Sequence, residues 1–241
     1  MHQRAPGAGA ADNLGGMSAL ESGRVVAVNV VHALRPDPRG DLDETAIDKR
    51  PTATRVAVHA AADGEVGLAG DQVVDVRHHG GRDQALYAYA VEDRAWWAAE
   101  LGRDLGPGSF GQNLDTEGVD VTGAVIGERW QIGTDGVVLE VSSPRIPCTT
   151  FQGFMDEPRW VKRFTEHGAP GAYLRVVSEG SVGAGDTVTV LDRPDHGVTI
   201  GDVFRLRDTG ADRLRRLLEQ QRDLAADLDR AVRRDLTARA R

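Results

Sequence analysis

The stretch "GAYLRVVSEGSVGAGDTVTVLDRP", Gly171 to Pro194, holds two β-branched runs, "AYLRVVSEG" and "DTVTVLDR", each bounded by Gly, Ser, Asp or Pro. Successive side chains on a strand point to opposite faces, so such runs read as strands with one face on a core. The pattern recurs upstream in "GRVVAVNVVHAL" from Gly23, "TRVAVHA" from Thr54, "DQVVDVRHH" from Asp71 and "GVVLEVSS" from Gly136. Four places share a Gly, an acid and an alternating run: "GDQVVDV" at Gly70, "GERWQIG" at Gly127, "GDTVTVL" at Gly185 and "GDVFRLR" at Gly201. Gly-acid pairs are ordinary turn chemistry ahead of a strand, and we read all four as turns rather than ligand sites. One helix is expected from Val91 to Leu101, stopped by Gly102, with Trp96, Trp97 and Leu101 for packing. Many strands and few helices between Arg24 and about Asp192 fit a mainly β barrel better than a doubly wound sheet.

Beyond Pro194 the period changes. Leu214, Leu217, Leu218, Gln221, Leu224, Leu228, Val232 and Leu236 follow helical spacing, which predicts a small α-helical extension. Its apolar stripe needs cover from the other helices, the barrel or a second subunit, so a homodimer is one expectation. The chain thus divides into a leader (1–23), a barrel (24–194) and a helical extension (195–241). The leader, rich in Gly and Ala, lacks the charged start and apolar segment of a signal peptide and is read as disordered.

Composition narrows the class. With 40% hydrophobic residues the chain can bury a sizeable core, and its net charge of −8 argues against a general nucleic-acid binder. The 11 arginines against 7 acids from Arg205 to Arg241 read first as a solvated helical face. No run of about 18 apolar residues predicts a membrane span. One cysteine cannot close an intrachain disulfide, so a reduced thiol in the cytoplasm is expected.

That thiol, Cys148, stands in "SSPRIPCTTF". Pro144 and Pro147 fix φ and withhold donors, predicting a stiff, extended loop after the strand "VVLEVS". Arg145 nearby would favour a thiolate, which is both nucleophile and soft metal ligand; a buried, inert cysteine is the alternative. In "DVRHHGGRDQALYAY", His79, Gly80 and Gly81 form either a tight turn or a backbone whose successive N–H groups face an anion, with Arg77 and Arg82 as phosphate partners. No zinc-ligand spacing is visible. In "GPGSFGQNLDTEG" the glycines let backbone come close to something, and Asn113 offers a ligand both donor and acceptor, or simply caps a turn. Lys49 in "AIDKRP" is one of only two lysines, a point charge suited to phosphate or an ordinary surface residue.

Taken in order, "IDKRP", "GLAGDQVVDVRHHGGRDQALYAYAVED", "GSFGQNLDTEG", "IGERWQIG", "LEVSSPRIPCTTF" and "GAYLRVVSEGSVGAGDTVTVLDRP" resemble the MOSC domain, in its bacterial YiiM-like branch, over about Arg24 to Pro194. The helical tail resembles the three-helix extension of that branch. The resemblance implies a β-barrel of the pyruvate kinase barrel type that binds molybdenum cofactor, a molybdenum-carrying pyranopterin, with one protein cysteine completing the metal's ligands. It implies reduction of N-hydroxylated substrates such as hydroxylaminopurine, a detoxification. By matching, Cys148 is the metal ligand and catalytic residue, and Lys49, His79, Gly80, Gly81, Asn113 and Arg145 belong to the cofactor site, with Arg77 added for its charge. The family commonly has a basic residue two places after the cysteine. Thr150 stands there, so another cation holds the anionic cofactor or affinity is lower. One cysteine cannot hold an iron–sulfur cluster, and electrons are expected from an external reductase. Two alternatives are a sulfur carrier or sulfurtransferase with a persulfide on Cys148, and a non-catalytic cofactor-binding barrel.

Overall fold

The computed structural model describes residues 22–37 and 42–241. The expected leader lies outside the described residues, apart from Ser22 and Gly23, which already open the first strand. The strands are β1 (Ser22–Pro36), β2 (Glu44–Pro51), β3 (Val56–Val58), β4 (Leu86–Ala90), β5 (Leu114–Glu117), β6 (Arg129–Ile132), β7 (Val137–Pro144), β8 (Ala172–Ser178), β9 (Gly180–Val182) and β10 (Thr187–Asp192). The helices are α1 (Val91–Leu101), α2 (Thr149–Met155), α3 (Trp160–His167), α4 (Ile200–Phe204), α5 (Ala211–Gln220) and α6 (Ala226–Arg239).

Seven strands close a barrel in the order β1-β5-β4-β8-β7-β6-β10, with β10 pairing back onto β1. Closure leaves this sheet without a free edge, which is how a mainly antiparallel sheet of this size avoids edge pairing. The pair β4–β5 is parallel, and α1 supplies the crossover such a pair requires. β1 is long enough to do two jobs: its first half belongs to the barrel, and from Asn29 its second half pairs with β2, setting Val31 opposite Lys49 ahead of bulges between Val31 and Arg35.

The period of two explains the core. On β4, Leu86, Ala88 and Ala90 join the barrel interior, while Tyr87 and Tyr89 join a second cluster with Trp97, Phe110, Phe151, Trp160 and Phe164. That aromatic layer, built by α1, α2 and α3, backs the wall that carries Cys148. The expectation for α1 matches the structure residue for residue, with Gly102 in the left-handed region at φ 62°. Trp97 is buried, whereas Trp96 is 46% exposed and stacks on His167 with ring centroids 3.8 Å apart.

Three expectations are corrected. "DQVVDVRHH" is not a strand but an irregular segment. "GDVFRLR" is not a turn into a strand: α4 starts there, capped by Thr199, whose Oγ1 accepts from Asp202 N while the Asp202 carboxylate accepts from Thr199 N. α2 and α3 were not expected at all. In the tail, Leu214, Leu217, Leu228 and Val232 are buried in one cluster with the barrel interior, so the barrel covers the apolar stripe.

Candidate functional site

Lys49, His79, Gly80, Asn113, Arg145 and Cys148 line one cleft. Residues far apart in sequence meet there because β2, the 75–81 loop, the 106–113 loop and the end of β7 converge beside β4. Cys148 lies where the expected stiff loop ends, in extended backbone at the N-cap of α2, partly exposed to the cleft. Arg145 is buried: it donates to Phe110 O, and its guanidinium lies 3.8 Å from the Phe151 ring centroid and 5.2 Å from that of Tyr87. No carboxylate pairs with it among the described residues. A buried guanidinium, which keeps its charge, is costly without a counter-charge, and aromatic faces offset that only in part. The wall beside Cys148 is therefore cationic and fits an anion.

Lys49 is different. Its Nζ pairs closely with Asp71, the two side chains being 11% and 0% exposed. Asp71 also accepts from Val31 N at 2.9 Å and from Asn113 Nδ2 at 2.8 Å. Burial lowers the Lys49 pKa, the Asp71 carboxylate opposes that, and Arg145 adds to it. Most of the Lys49 charge is thus balanced inside the protein. Asn113 is similarly committed: Nδ2 also donates to Asn29 O at 3.2 Å, and Oδ1 accepts from Tyr87 N at 3.0 Å. Asn113 thus staples β1, β4 and Asp71 together while still lining the cleft.

The loop 106–113 owes its path to glycine. At Gly108, φ is +79° and a Cβ would sit 2.2 Å from Lys49 O, so the loop lies directly against the backbone carrying Lys49. At Gly80, φ is +81° and a Cβ would meet Glu65 O at 2.7 Å. Of the two readings of this segment the tight turn is the one seen: His78 N and His79 N donate to Asp75 O and Gly81 N donates to Glu65 O. Gly81 does not line the cleft. Arg77 is also outside it, with a side chain 71% exposed and 3.8 Å from Asp75, and Arg82 pairs with Asp223 of the tail.

His79 remains in the cleft. Burial, and after it the charge of Arg145, lower its pKa to about 4, so the ring is neutral near pH 7. Its Nδ1 lies 3.3 Å from the Tyr173 hydroxyl. Burial raises the pKa of both Tyr87 and Tyr173, so both phenols stay protonated. At the place of the usual basic residue, Thr150 donates to Asp37 Oδ1 at 3.0 Å. Sequence reasoning missed Asp71, read as turn chemistry, and also Asp37, Gln84 and Tyr173 as lining residues. No local pattern marks them, since their contacts are long-range.

Among the described residues no group of three or more His, Cys, Asp or Glu side chains could hold a metal ion. A metal at Cys148 would therefore have to bring other ligands with it, as a dithiolene-bearing pterin does. The lone thiol, the cationic wall and neutral hydrogen-bonding groups fit such a group.

The chain is similar to known proteins in sequence and in fold. Residues 75–189 match the MOSC domain model. YflK of Bacillus subtilis (strain 168), an uncharacterized protein, is 31% identical over 157 residues, 65% of this chain and 68% of YflK. A protein of Gibberella moniliformis named reductase is 34% identical over 131 residues, 53% of this chain but 23% of that much longer protein. Among solved structures, YiiM from Geobacillus stearothermophilus superposes with a TM-score of 0.70 at 25% identity, covering 89% of this chain and 99% of YiiM. With a closed seven-stranded barrel, C-terminal helices and a match from the 75–81 loop to β10, the chain belongs to the MOSC domain family.

Proposed function

We propose that this protein reduces N-hydroxylated compounds, of the hydroxylaminopurine type, using a molybdenum cofactor held at Cys148. The observation that carries the reading is the meeting of one thiol and one buried guanidinium without a carboxylate partner in a single cleft. Membership of the MOSC family supports cofactor binding, and the relative named reductase supports the reaction class.

When bound, the cofactor supplies a two-electron redox centre and its own sulfur ligands. Cys148 Sγ completes the metal's ligands as a soft thiolate. Arg145 holds anionic cofactor oxygens by charge-assisted hydrogen bonds and, with α2, fixes the direction of the thiol. Lys49, kept in place by Asp71, presents an N–H donor rather than a full charge. Neutral His79 and the Tyr173 hydroxyl, bonded to each other, leave one uncharged donor between them at the cleft wall. In the overall reaction the N–O bond breaks, two electrons and two protons enter, and the products are the amine and water. The electrons come from an external reductase, the partner this reading requires.

The test is turnover of 6-N-hydroxylaminopurine to adenine, followed by chromatography, with protein from a cofactor-producing host and a chemical reductant. Turnover by the wild type that Arg145→Ala weakens supports the assignment. Cofactor-loaded protein that never forms adenine removes it.

A further inference from the structure

Gln84 has no role in the site so far. It ends the one-turn helix Arg82–Gln84 that follows Gly81 and leads into β4. Gln84 N donates to Gly81 O at 3.1 Å; on the preceding residue, Asp83 O accepts from Ser142 Oγ and the Asp83 carboxylate lies 2.8 Å from Arg175. The turn is thus fixed to β7 and β8. Gln84 lines the cleft, and its Oε1 makes no hydrogen bond within the protein; enclosed by its neighbours, it meets a ligand once the amide turns toward the cleft. The amide stands near His79 and weakly favours the charged ring, but no bond of ordinary length and angle joins the two. An amide oxygen is a strong acceptor, and a buried acceptor left unmatched destabilises the fold that holds it. The same cleft is also lined by Val66, Ala85, Tyr87 and Tyr173. Flat apolar walls with one oriented acceptor suit a heterocycle that presents an N–H edge.

We infer that Gln84 Oε1 accepts a hydrogen bond from an amino-heterocycle bound in the cleft, and so sets its orientation and selectivity. This rests on the reading of the cleft as a pterin and N-hydroxylated base site. The N–H edge can belong to the pterin of the cofactor or to the purine-type substrate, and the two sources are separable. Full-length wild type and Gln84→Met are titrated with two fluorescent probes, 6-hydroxymethylpterin and 2-aminopurine, and melted without either. Methionine keeps the length and removes the acceptor. The inference expects at least one probe to bind Gln84→Met about tenfold more weakly, as for a buried donor left without its partner. It also expects a melting temperature equal to or above the wild type's, because an unmatched acceptor has gone. Loss confined to the pterin assigns Gln84 to the cofactor, and loss confined to aminopurine assigns it to the substrate. Equal affinity of both proteins for both probes, no binding by the wild type, or a variant that melts earlier or fails to fold overturns the inference. Molybdenum content of the wild type is measured separately, so failure of the cofactor reading is distinguishable from failure of this one.

Discussion

Replacing Asp71 by alanine tests the internal balance of the site. The carboxylate is fully buried and holds Lys49 Nζ, Asn113 Nδ2 and Val31 N at once. Removing one partner of a buried ion pair costs roughly 3–5 kcal/mol, since the other charge is left without compensation. For a chain of this size each kcal/mol lowers the melting temperature by about 2–4 °C, giving a fall of roughly 6–20 °C. Lys49→Met alone should cost less, because Asp71 keeps two neutral donors. In the double variant the buried ammonium has gone, so the loss should be well below the sum of the singles. The pH dependence has a definite sign. Burial and Arg145 lower the Lys49 pKa, and Asp71 is what opposes them. In Asp71→Ala the lysine pKa falls further below its unfolded value, so the unfolded chain binds more protons. The cost of the substitution should therefore shrink as pH rises toward 10. Urea unfolding of the four proteins at pH 7 and 9.5 measures all of this. Additive single effects, or an Asp71→Ala cost below about 1 kcal/mol, would refute the buried pair.

Other substitutions probe separate parts of the site. His79, with its pKa lowered from 6.5 to about 4, contributes stability that is present above pH 6.5 and lost as pH falls toward 4, in total roughly 3 kcal/mol; His79→Gln should flatten that part of the urea-midpoint profile, and an unchanged profile would mean the ring is not buried. Gly108→Ala, at φ +79° and with a Cβ 2.2 Å from Lys49 O, should cost about 2–5 kcal/mol from backbone strain and overpacking together; a melting temperature within a degree of wild type would show that the loop yields. Cys148→Ser should leave the melting temperature of the protein unchanged and abolish turnover, since a hydroxyl is nearly the same size but a harder, less acidic ligand. Full turnover by the serine variant would exclude metal ligation by Cys148.

What could be read in the sequence was what local chemistry decides. The Val-rich runs around β1, β7, β8 and β10 carry their period of two in the residues themselves, and α1 is ended by a glycine that can enter the left-handed region. "GDVFRLR" misled because its alternation fits a strand, although the Thr199-x-x-Asp202 pattern just ahead is a capping box and could have revealed α4. "DQVVDV" misled because Asp71 is drawn out of any ladder by Lys49 and Asn113, 22 and 42 residues away. No window of neighbouring residues contains that information. For the same reason Asn113, Gly80 and Gly108 were visible as unusual while their partners were not: the backbone that the Gly108 loop approaches is that of Lys49, on β2.

The central claim is that Cys148 and Arg145 hold a molybdenum pterin, and the most direct test is metal and pterin content. Full-length wild type and Cys148→Ser are purified from a cofactor-producing host and assayed together for molybdenum, pterin and cyanide-labile sulfur. The account predicts molybdenum and pterin in equal amounts on the wild type, and loss of both or of their redox activity in the serine variant. Wild-type protein carrying neither, with cyanide-labile sulfur on Cys148 instead, would contradict it and make this site a persulfide carrier.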